Sequence, residues 1–260
     1  MSTKNTVNPE RITPEHPIIT QNKAIERTLV PWELYEIGNQ YYHRPDRSYW
    51  DFAEAVKYWH CAASRGNPEA QYNLAWCFFT GEHLNKNPEE AFSWFLRSAE
   101  LGLGTGLYMT GLCYFYGYGV EKNEEKGLRW YRKAARKLER NAQFRLGLFY
   151  ASRSSLDKDK IRSVNWFRKA AEQGCDEAQF ELGKCYLNGA GIHVQKRQAL
   201  RWLRRAAAQG HNEAMELLGE VITTEKPESA AIWFLRAAKL GNPEAKTKLI
   251  ELANSIQQPA

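Results

Sequence analysis

The sequence predicts an all-α fold, an α/α solenoid of stacked antiparallel helical hairpins that form a right-handed superhelix. Two patterns with the same 36-residue period predict it. In the first, a tryptophan is followed four and five positions later by small residues, and it recurs at Trp94, Trp130, Trp166 and Trp202. In the second, a small residue precedes a leucine-glycine or similar pair by four positions, and it recurs at Ala70, Gly106, Ala142 and Ala178. Repetition at this period indicates stacked units that are each too small to bury an apolar face alone.

The first helix of a unit, helix A, is clearest in the second unit. Gly66 suits the left-handed end of the preceding helix, Asn67 suits the cap of the new helix, and Pro68 suits its first turn. Ala70 and Leu74 then lie on one face at helical spacing. Helix A is therefore expected to bury that face against a partner helix.

The second helix, helix B, begins at Asn87 and Pro88 and ends before Gly102. Residues at helical spacing form its predicted buried stripe, namely Ala91, Trp94, Phe95, Ser98 and Ala99. The repeated tryptophans are thus expected in the core. Small residues on helix A let the two helices approach closely, and they are Ala75, Gly111, Gly147, Gly183 and Gly219.

The chain divides into two predicted regions. Residues 1–30 are rich in Pro, Thr, Asn and charge, which predicts a flexible arm that lacks the apolar stretch of a secretory signal. Residues 31–257 predict the solenoid, with units at about 31–66, 67–102, 103–138, 139–174, 175–210 and 211–241 and a capping helix at 242–257. Residues 151–160 replace the loop glycines of one unit, and another unit is five residues shorter. We expect the curvature to change at both places.

The loops at 117–120 and 189–192 are rich in glycine, and a fixed pattern follows the second loop at Ala199, Trp202, Ala206, Ala207 and Gly210. These features resemble the Sel-one-like repeat, a relative of the tetratricopeptide repeat with a slightly longer loop. The resemblance covers residues 32 to about 250. It implies an adaptor or scaffold of the kind found in bacterial envelope, secretion, motility and stress pathways and in eukaryotic protein quality control.

Composition and cysteine positions limit the class of protein. The chain is 43% hydrophobic and 25% charged, which is typical of a folded protein. No stretch approaches the roughly 18 apolar residues of a membrane span, and we expect a cytoplasmic protein. Cys77, Cys113 and Cys185 occupy equivalent helical positions in different units, which argues against a disulfide framework.

The histidines, glycines and carboxylates of the sequence lack the motifs of catalytic, cofactor-binding and metal-binding sites. The six histidines lack metal-ligand spacing, and no Lys-Ser or Lys-Thr follows the glycine pairs of the loops as phosphate binding would require. A nucleophile elbow and a paired-carboxylate motif are also missing. We therefore expect a non-enzymatic protein without cofactor or bound metal.

The net charge of +6 raises the possibility of a polyanionic partner. Basic residues recur just before the paired small residues of helix B, at Arg97, Lys133, Lys169, Arg205 and Arg236. We call this set the basic row. A solvated outer face would have the same pattern, and no aromatic residues for base stacking are expected among it. Nucleic-acid or polyanion binding through the basic row is therefore an alternative function.

The other side of helix A is predicted to line a concave groove. Its candidate peptide-binding residues are aromatic in the first units and acidic later: Trp32, Tyr35, Tyr42, Tyr72, Trp76, Phe79, Tyr108, Phe115, Phe144, Glu177, Glu213 and Glu216. Trp76 and Tyr108 are expected to be solvent-accessible. A competing interpretation is that the large side chains pack against the next unit and never meet a ligand.

The sequence therefore predicts a protein-protein interaction module that holds a peptide or helix of another protein in this groove. The aromatic residues would anchor apolar side chains, and the acidic end would orient a basic stretch of the partner.

Overall fold

The computed structural model describes residues 28–45, 48–82, 84–153 and 156–257, and thirteen α-helices form over this part of the chain. They are α1 (Pro31–Tyr42), α2 (Tyr49–Ser64), α3 (Pro68–Thr80), α4 (Pro88–Glu100), α5 (Gly104–Tyr116), α6 (Glu124–Arg136), α7 (Arg140–Ser152), α8 (Asp157–Glu172), α9 (Asp176–Asn188), α10 (Lys196–Ala208), α11 (Asn212–Ile222), α12 (Pro227–Lys239) and α13 (Pro243–Gln257). The predicted flexible arm lies outside the described residues except for its last three.

The helices pack as consecutive hairpins in two compact units, which we call unit 1 (the described residues up to 139) and unit 2 (the described residues from 140 onward). In unit 1 the hairpins are α1 with α2, α3 with α4, and α5 with α6, and each hairpin packs against the next. In unit 2 they are α7 with α8, α9 with α10, and α11 with α12, and α13 packs on α12. The predicted all-α arrangement of stacked helical hairpins is confirmed.

Helix ends follow the sequence signals. Asn67 accepts a hydrogen bond from the Ala70 amide at 2.7 Å, and Asn87 and Asn242 cap α4 and α13 in the same way. Gly66 has a φ of +88°, which lets the chain reverse after α2. Local sequence therefore sets where α3, α4 and α13 begin and where the chain turns after α2.

The core of each hairpin centres on the residue after the repeated tryptophan. Tyr131 and Phe167 are each 1% exposed, whereas Trp130 and Trp166 are only half-buried. The buried rings lie against the helix A glycines, so that a Cβ on Gly147 would come within 2.5 Å of the Phe167 ring. The expectation that Trp130 and Trp166 are buried core residues is therefore corrected, because the glycine notch admits the neighbouring ring.

Two further features limit the chemistry of the fold. All five cysteines are free thiols, and burial raises the pKa of Cys77, Cys113 and Cys175 to about 12, so these thiols stay protonated near neutral pH. Within the described residues, no helix combines the length and apolar character needed to cross a membrane.

Candidate functional site

The predicted groove residues of unit 1 differ in how far they reach solvent. Trp32 is 54% exposed and Trp76 is 41% exposed. Tyr108 is half-buried, and its ring stacks on Tyr131 with a centroid distance of 5.8 Å. The remaining predicted aromatic residues of this unit are half-buried, and they are Tyr35, Tyr42, Tyr72, Phe79 and Phe115. Trp76 therefore has the expected exposure, and Tyr108 has less than expected.

Many of these half-buried rings also pack against helix B of their own hairpin. The Tyr72 ring on α3 lies 5.7 Å from Phe95 on α4, and Phe79 lies 6.1 Å from the same ring. In unit 2, Phe144 on α7 lies 5.9 Å from Phe167 on α8. The groove aromatics thus have one side in the hairpin core, which holds them in place.

A pocket of about 280 Å³ opens on this side of unit 1. We call it the α1–α3 pocket. Its lining residues come from α1, α2, α3 and the chain just after α1 and α3: Tyr35, Asn39, Tyr42, His43, Phe52, Trp59, Tyr72, Asn73, Trp76, Cys77, Thr80 and Glu82. Four of the predicted groove residues, Tyr35, Tyr42, Tyr72 and Trp76, therefore line one cavity.

Polar groups on the lining are fixed by short-range hydrogen bonds. Asn39 accepts a bond from the Trp59 ring nitrogen at 3.1 Å. The Thr80 hydroxyl donates to the Trp76 carbonyl at 3.0 Å and accepts from the Glu82 amide at 3.2 Å. Burial is the main cause of the raised pKa of Cys77, and the nearby negative charge of Glu82 adds to it. The pocket thus joins aromatic rings with oxygen acceptors and a carboxylate.

The exposed aromatic surface continues from this pocket onto the loop after α5. Trp76 lies 5.8 Å from Phe79, Phe79 lies 5.6 Å from Tyr118, and Tyr118 lies 5.8 Å from Tyr116, measured between ring centroids. Tyr116 and Tyr118 are 46% and 44% exposed. Gly119 holds this loop close to α4, because its φ is +65° and a Cβ there would lie 1.9 Å from the Pro88 carbonyl oxygen.

The predicted acidic residues of the groove, Glu177, Glu213 and Glu216, lie in unit 2, and a lysine neutralises part of their charge. Glu216 is buried, and its carboxylate accepts hydrogen bonds from Asn242 at 2.8 Å and from Lys248. Lys248 also binds Glu220. Glu177 and Glu213 are exposed, and Glu213 lies 3.2 Å from the His211 ring nitrogen. Glu216 therefore anchors α13 and differs from the exposed partner-orienting residue that was expected.

Glu213, Glu216 and Glu220 line a second pocket, of about 320 Å³, in unit 2. Its lining includes Phe180, Lys184, Glu213, Glu220 and Lys248. Lys184 lies over the Phe180 ring at 4.9 Å and pairs with Glu181 at 2.9 Å. Lys184 is thus held by a ring and a carboxylate of unit 2, and Lys248 is held by two carboxylates.

The Sel1 repeat profile matches residues 34–67, 68–103, 105–137, 140–175, 176–211 and 214–242, which together span most of the chain. The chain belongs to the Sel1 repeat family. Sel1 repeat proteins are generally protein-interaction scaffolds. A comparison with curated proteins gives no match.

Three solved structures are similar to this Sel1 repeat chain. One is c5321, a protective antigen of uropathogenic Escherichia coli with an SLR fold, at 28% identity and a TM-score of 0.75; the alignment covers 85% of this chain but only 48% of c5321. The second is a Sel1 repeat protein from Oxalobacter formigenes, at 27% identity and a TM-score of 0.74, covering 83% and 88% of the two chains. The third, the immunity protein Pa5087 from Pseudomonas aeruginosa, has 23% identity and a TM-score of 0.53 over 87% and 86% of the chains, which supports the fold alone.

The basic row of this Sel1 repeat chain has aromatic partners, contrary to expectation. Each member lies over the ring of the tryptophan three residues earlier, at 4.1 Å for Lys133 over Trp130 and 4.5 Å for Lys169 over Trp166. The other three members lie at 4.4 to 4.9 Å, and they are Arg97, Arg205 and Arg236. The tryptophans therefore serve as platforms for these cations, and the i, i+3 spacing in the sequence was the available signal.

Sequence reasoning also missed Tyr116 and Tyr118 as parts of the aromatic surface. Equivalent positions 36 residues earlier hold Thr80 and Glu82, and those 72 residues later hold Asn188 and Ala190. Two aromatic residues that appear in one repeat only are the signal that could have identified them. Among the described residues, no group of three or more His, Cys, Asp or Glu side chains is arranged to hold a metal ion.

Proposed function

We propose that this protein is a scaffold that binds an extended or helical segment of a partner protein on the aromatic face of unit 1. The observation that supports the proposal best is the α1–α3 pocket, because rings from two successive hairpins line one solvent-open cavity. Pockets that take a large side chain of a partner are a usual place for the residues that dominate binding energy.

Trp76 is the side chain expected to contribute most. It lines the pocket, is 41% exposed, and stacks on Tyr72 with a centroid distance of 6.3 Å and an interplanar angle of 20°. A ring held on one side and open on the other gives contact area with little loss of side-chain entropy on binding. Phe79, Tyr116 and Tyr118 would extend the contact beyond the pocket.

The proposal is tested with peptides selected for binding to the full chain from a displayed random library. Trp76→Ala should weaken the binding of the selected peptides by roughly 2 kcal/mol or more, as expected of a hot spot. Trp50→Ala is the matched control, since Trp50 is 64% exposed on α2 and does not line the pocket. Isothermal titration calorimetry of each variant gives the affinity, and thermal melting confirms that both variants stay folded.

The alternative, polyanion binding through the basic row, predicts a different result. Lys133→Glu with Lys169→Glu would then abolish binding, and affinity would fall steeply with salt because counterions are released. If the charge reversals remove peptide binding and Trp76→Ala does not, the aromatic face is excluded as the binding surface.

A further inference from the structure

His211, the residue just before α11, has two neighbours that require opposite states of one ring nitrogen. Its Nδ1 accepts a hydrogen bond from the Ala214 amide at 3.3 Å and so caps α11. The same Nδ1 lies 3.2 Å from Oε2 of Glu213. A ring nitrogen accepts only while it is unprotonated, and it donates to a carboxylate only while it carries a proton. The two contacts are therefore alternatives, and a proton decides between them.

Equivalent positions in other repeats show each alternative alone. Asn67 and Asn242, just before α3 and α13, each accept from the amide three residues later, at 2.7 and 3.0 Å. Cys175, 36 residues before His211, does the opposite: no described side chain caps α9, and the thiol donates to Oε2 of Glu177 at 3.2 Å. Burial raises the pKa of this thiol to about 12, so it stays a donor near neutral pH, as the asparagine oxygens stay acceptors.

Histidine is the residue type that supplies both alternatives. An imidazole is the side chain whose charge ordinarily changes between pH 5 and 8. Its neutral ring accepts through one nitrogen, and its protonated ring donates through both. His211 thus combines the contact made at Asn67 with the contact made at Cys175.

The described charged groups that interact with His211 are carboxylates. Asp176 and Glu177 lie in the first turn of α9, Glu213 lies in the first turn of α11, and residues 206–209 at the end of α10 are uncharged. Burial and the Glu177 carboxyl raise the pKa of Asp176, and the charge of His211 opposes that rise. The Phe180 ring, 4.7 Å away between centroids, would also attract a cation.

These groups favour an imidazolium, whereas the cap hydrogen bond and the positive end of the α11 dipole favour the neutral ring. The two states also differ in what α11 presents to the pocket of about 320 Å³, because Glu213 lines it. Beside an imidazolium, the negative charge of Glu213 is neutralised at the pocket.

We propose that His211 is a pH-dependent switch at the start of α11. The neutral ring caps the helix through the Ala214 amide, and the protonated ring releases that amide and binds Glu213. The proton is taken up from solvent onto Nδ1 and returns to solvent as the pH rises. Protonation thus loosens the first turn of α11 and makes the adjacent pocket of unit 2 less acidic.

NMR of the full ¹⁵N-labelled and assigned chain tests the switch between pH 8 and pH 5. The ring ¹⁵N shifts of His211 should show an unprotonated Nδ1 at pH 8 and a doubly protonated ring at the acidic end. The hydrogen-exchange protection factor of the Ala214 amide should fall about fivefold or more, with the same midpoint as the ring. A neutral ring that carries its proton on Nδ1, or an Ala214 amide that does not respond as the ring titrates, overturns the proposal.

Two substitutions at position 211 fix the two ends of the switch. His211→Asn supplies a permanent acceptor, as at Asn67, and should keep Ala214 protected at both pH values. His211→Cys supplies a donor, as at Cys175, and should leave Ala214 weakly protected at both. Thermal melting of each variant shows whether the fold is kept.

The control is His193→Asn, at an exposed position in the loop before α10, and it should respond to pH as the parent does. If the response of the Ala214 amide persists in His211→Asn, the titrating group is Asp176 or Glu177, and the switch is refuted.

The role of Glu213 is tested separately. Glu213→Gln should move the midpoint of the Ala214 response to lower pH by about 0.2 to 0.7 units, because the imidazolium loses an exposed ion pair. Glu251→Gln, at an exposed position on α13, should leave the midpoint unchanged. Equal shifts would show a general charge effect and would overturn the pairing with Glu213.

Discussion

The buried amide of Gln71 lies at a position where other hairpins link helix A to the residue just after helix B. Gln209 donates from its side-chain amide to the Gln179 side chain at 3.0 Å, and Gln173 donates to Gln143 at 2.8 Å, in each case across 30 residues. Gln71 occupies the equivalent position in α3, but the residue 30 positions later is Leu101. The Gln71 side-chain oxygen is buried and accepts no hydrogen bond from the described residues.

Leu101→Gln should therefore stabilise the protein. The new amide would donate to the Gln71 oxygen and remove an exposed leucine, so the free energy of unfolding should rise by about 0.5 to 1.5 kcal/mol in urea denaturation. Leu240→Gln is the matched control. Leu240 follows α12 as Leu101 follows α4, both are 54% exposed, and the α11 position equivalent to Gln71 is Met215, whose thioether is at most a weak acceptor. Equal effects of the two changes would contradict the pairing.

At the scale of a helix, the sequence predicts where the helix begins better than it predicts how deeply each side chain is buried. The caps at Asn67 and Asn87 and the prolines after them mark where α3 and α4 begin, since these residues satisfy or avoid the free amides of the first turn. Helix B presents two adjacent apolar residues, such as Trp130 and Tyr131, which differ by about 100° around the helix. Periodicity alone does not decide which is deeper.

The partner helix decides which of the two adjacent side chains is buried more deeply. Gly111 on α5 leaves a notch in which a Cβ would lie 2.7 Å from the Tyr131 ring, so Tyr131 fills it and Trp130 is left at the side under Lys133. The same holds for Gly147 and Phe167. Aligning the glycines of helix A with the second aromatic of helix B would have predicted this, because both recur with the repeat.

An ion pair between buried Glu216 on α11 and Lys248 on α13 ties the last helix to its neighbour. Burial disfavours charge on both partners, but the hydrogen bonds between them hold the pKa of Glu216 below its usual 4.5 and the pKa of Lys248 above its usual 10.5. The carboxylate contributes stability above pH 4.5 that is lost as the pH falls through its lowered value. The ammonium contributes stability below pH 10.5 that is lost as the pH rises through its raised value.

Lys248→Met should accordingly loosen α13 at neutral pH, because Glu216 would keep a buried charge without its ammonium partner. We expect a loss of about 1 to 3 kcal/mol and faster amide hydrogen exchange in α13. The exchange rates of the variant and the parent should converge as the pH falls below 4.5. Lys246→Met, at an exposed position of the same helix, serves as control, and equal loosening by both would refute the anchor.

At the scale of the whole chain, the 36-residue period predicted the helical repeat fold because a repeat constrains every unit in the same way. The environment of the predicted groove residues was harder to predict, because it depends on contacts between different repeats. Lys248 neutralises Glu216 from 32 residues away. Tyr118 joins the aromatic surface through a loop that differs among repeats. Neither contact follows from the pattern of one repeat.

The repeat architecture also predicts how a loss of stability at one helix affects the other helices. Each helix in unit 2 packs on its sequence neighbours, with α7 on α8, α8 on α9, and so on to α13. In such a protein, stability is approximately a sum of repeat and nearest-neighbour terms. A local loss should therefore weaken adjacent helices before distant ones.

Gly147→Ala provides the test. The added Cβ would lie 2.5 Å from two atoms of the Phe167 ring, which is 1% exposed and has little room to shift, so we expect a loss of about 1 to 3 kcal/mol from overpacking. Hydrogen exchange should accelerate most in α7 and α8, less in α9, and least in α13. Glu172→Ala, at an exposed position on α8, should leave this profile unchanged. A uniform acceleration over α7 to α13 would show that unit 2 unfolds as one cooperative body and would refute the nearest-neighbour description.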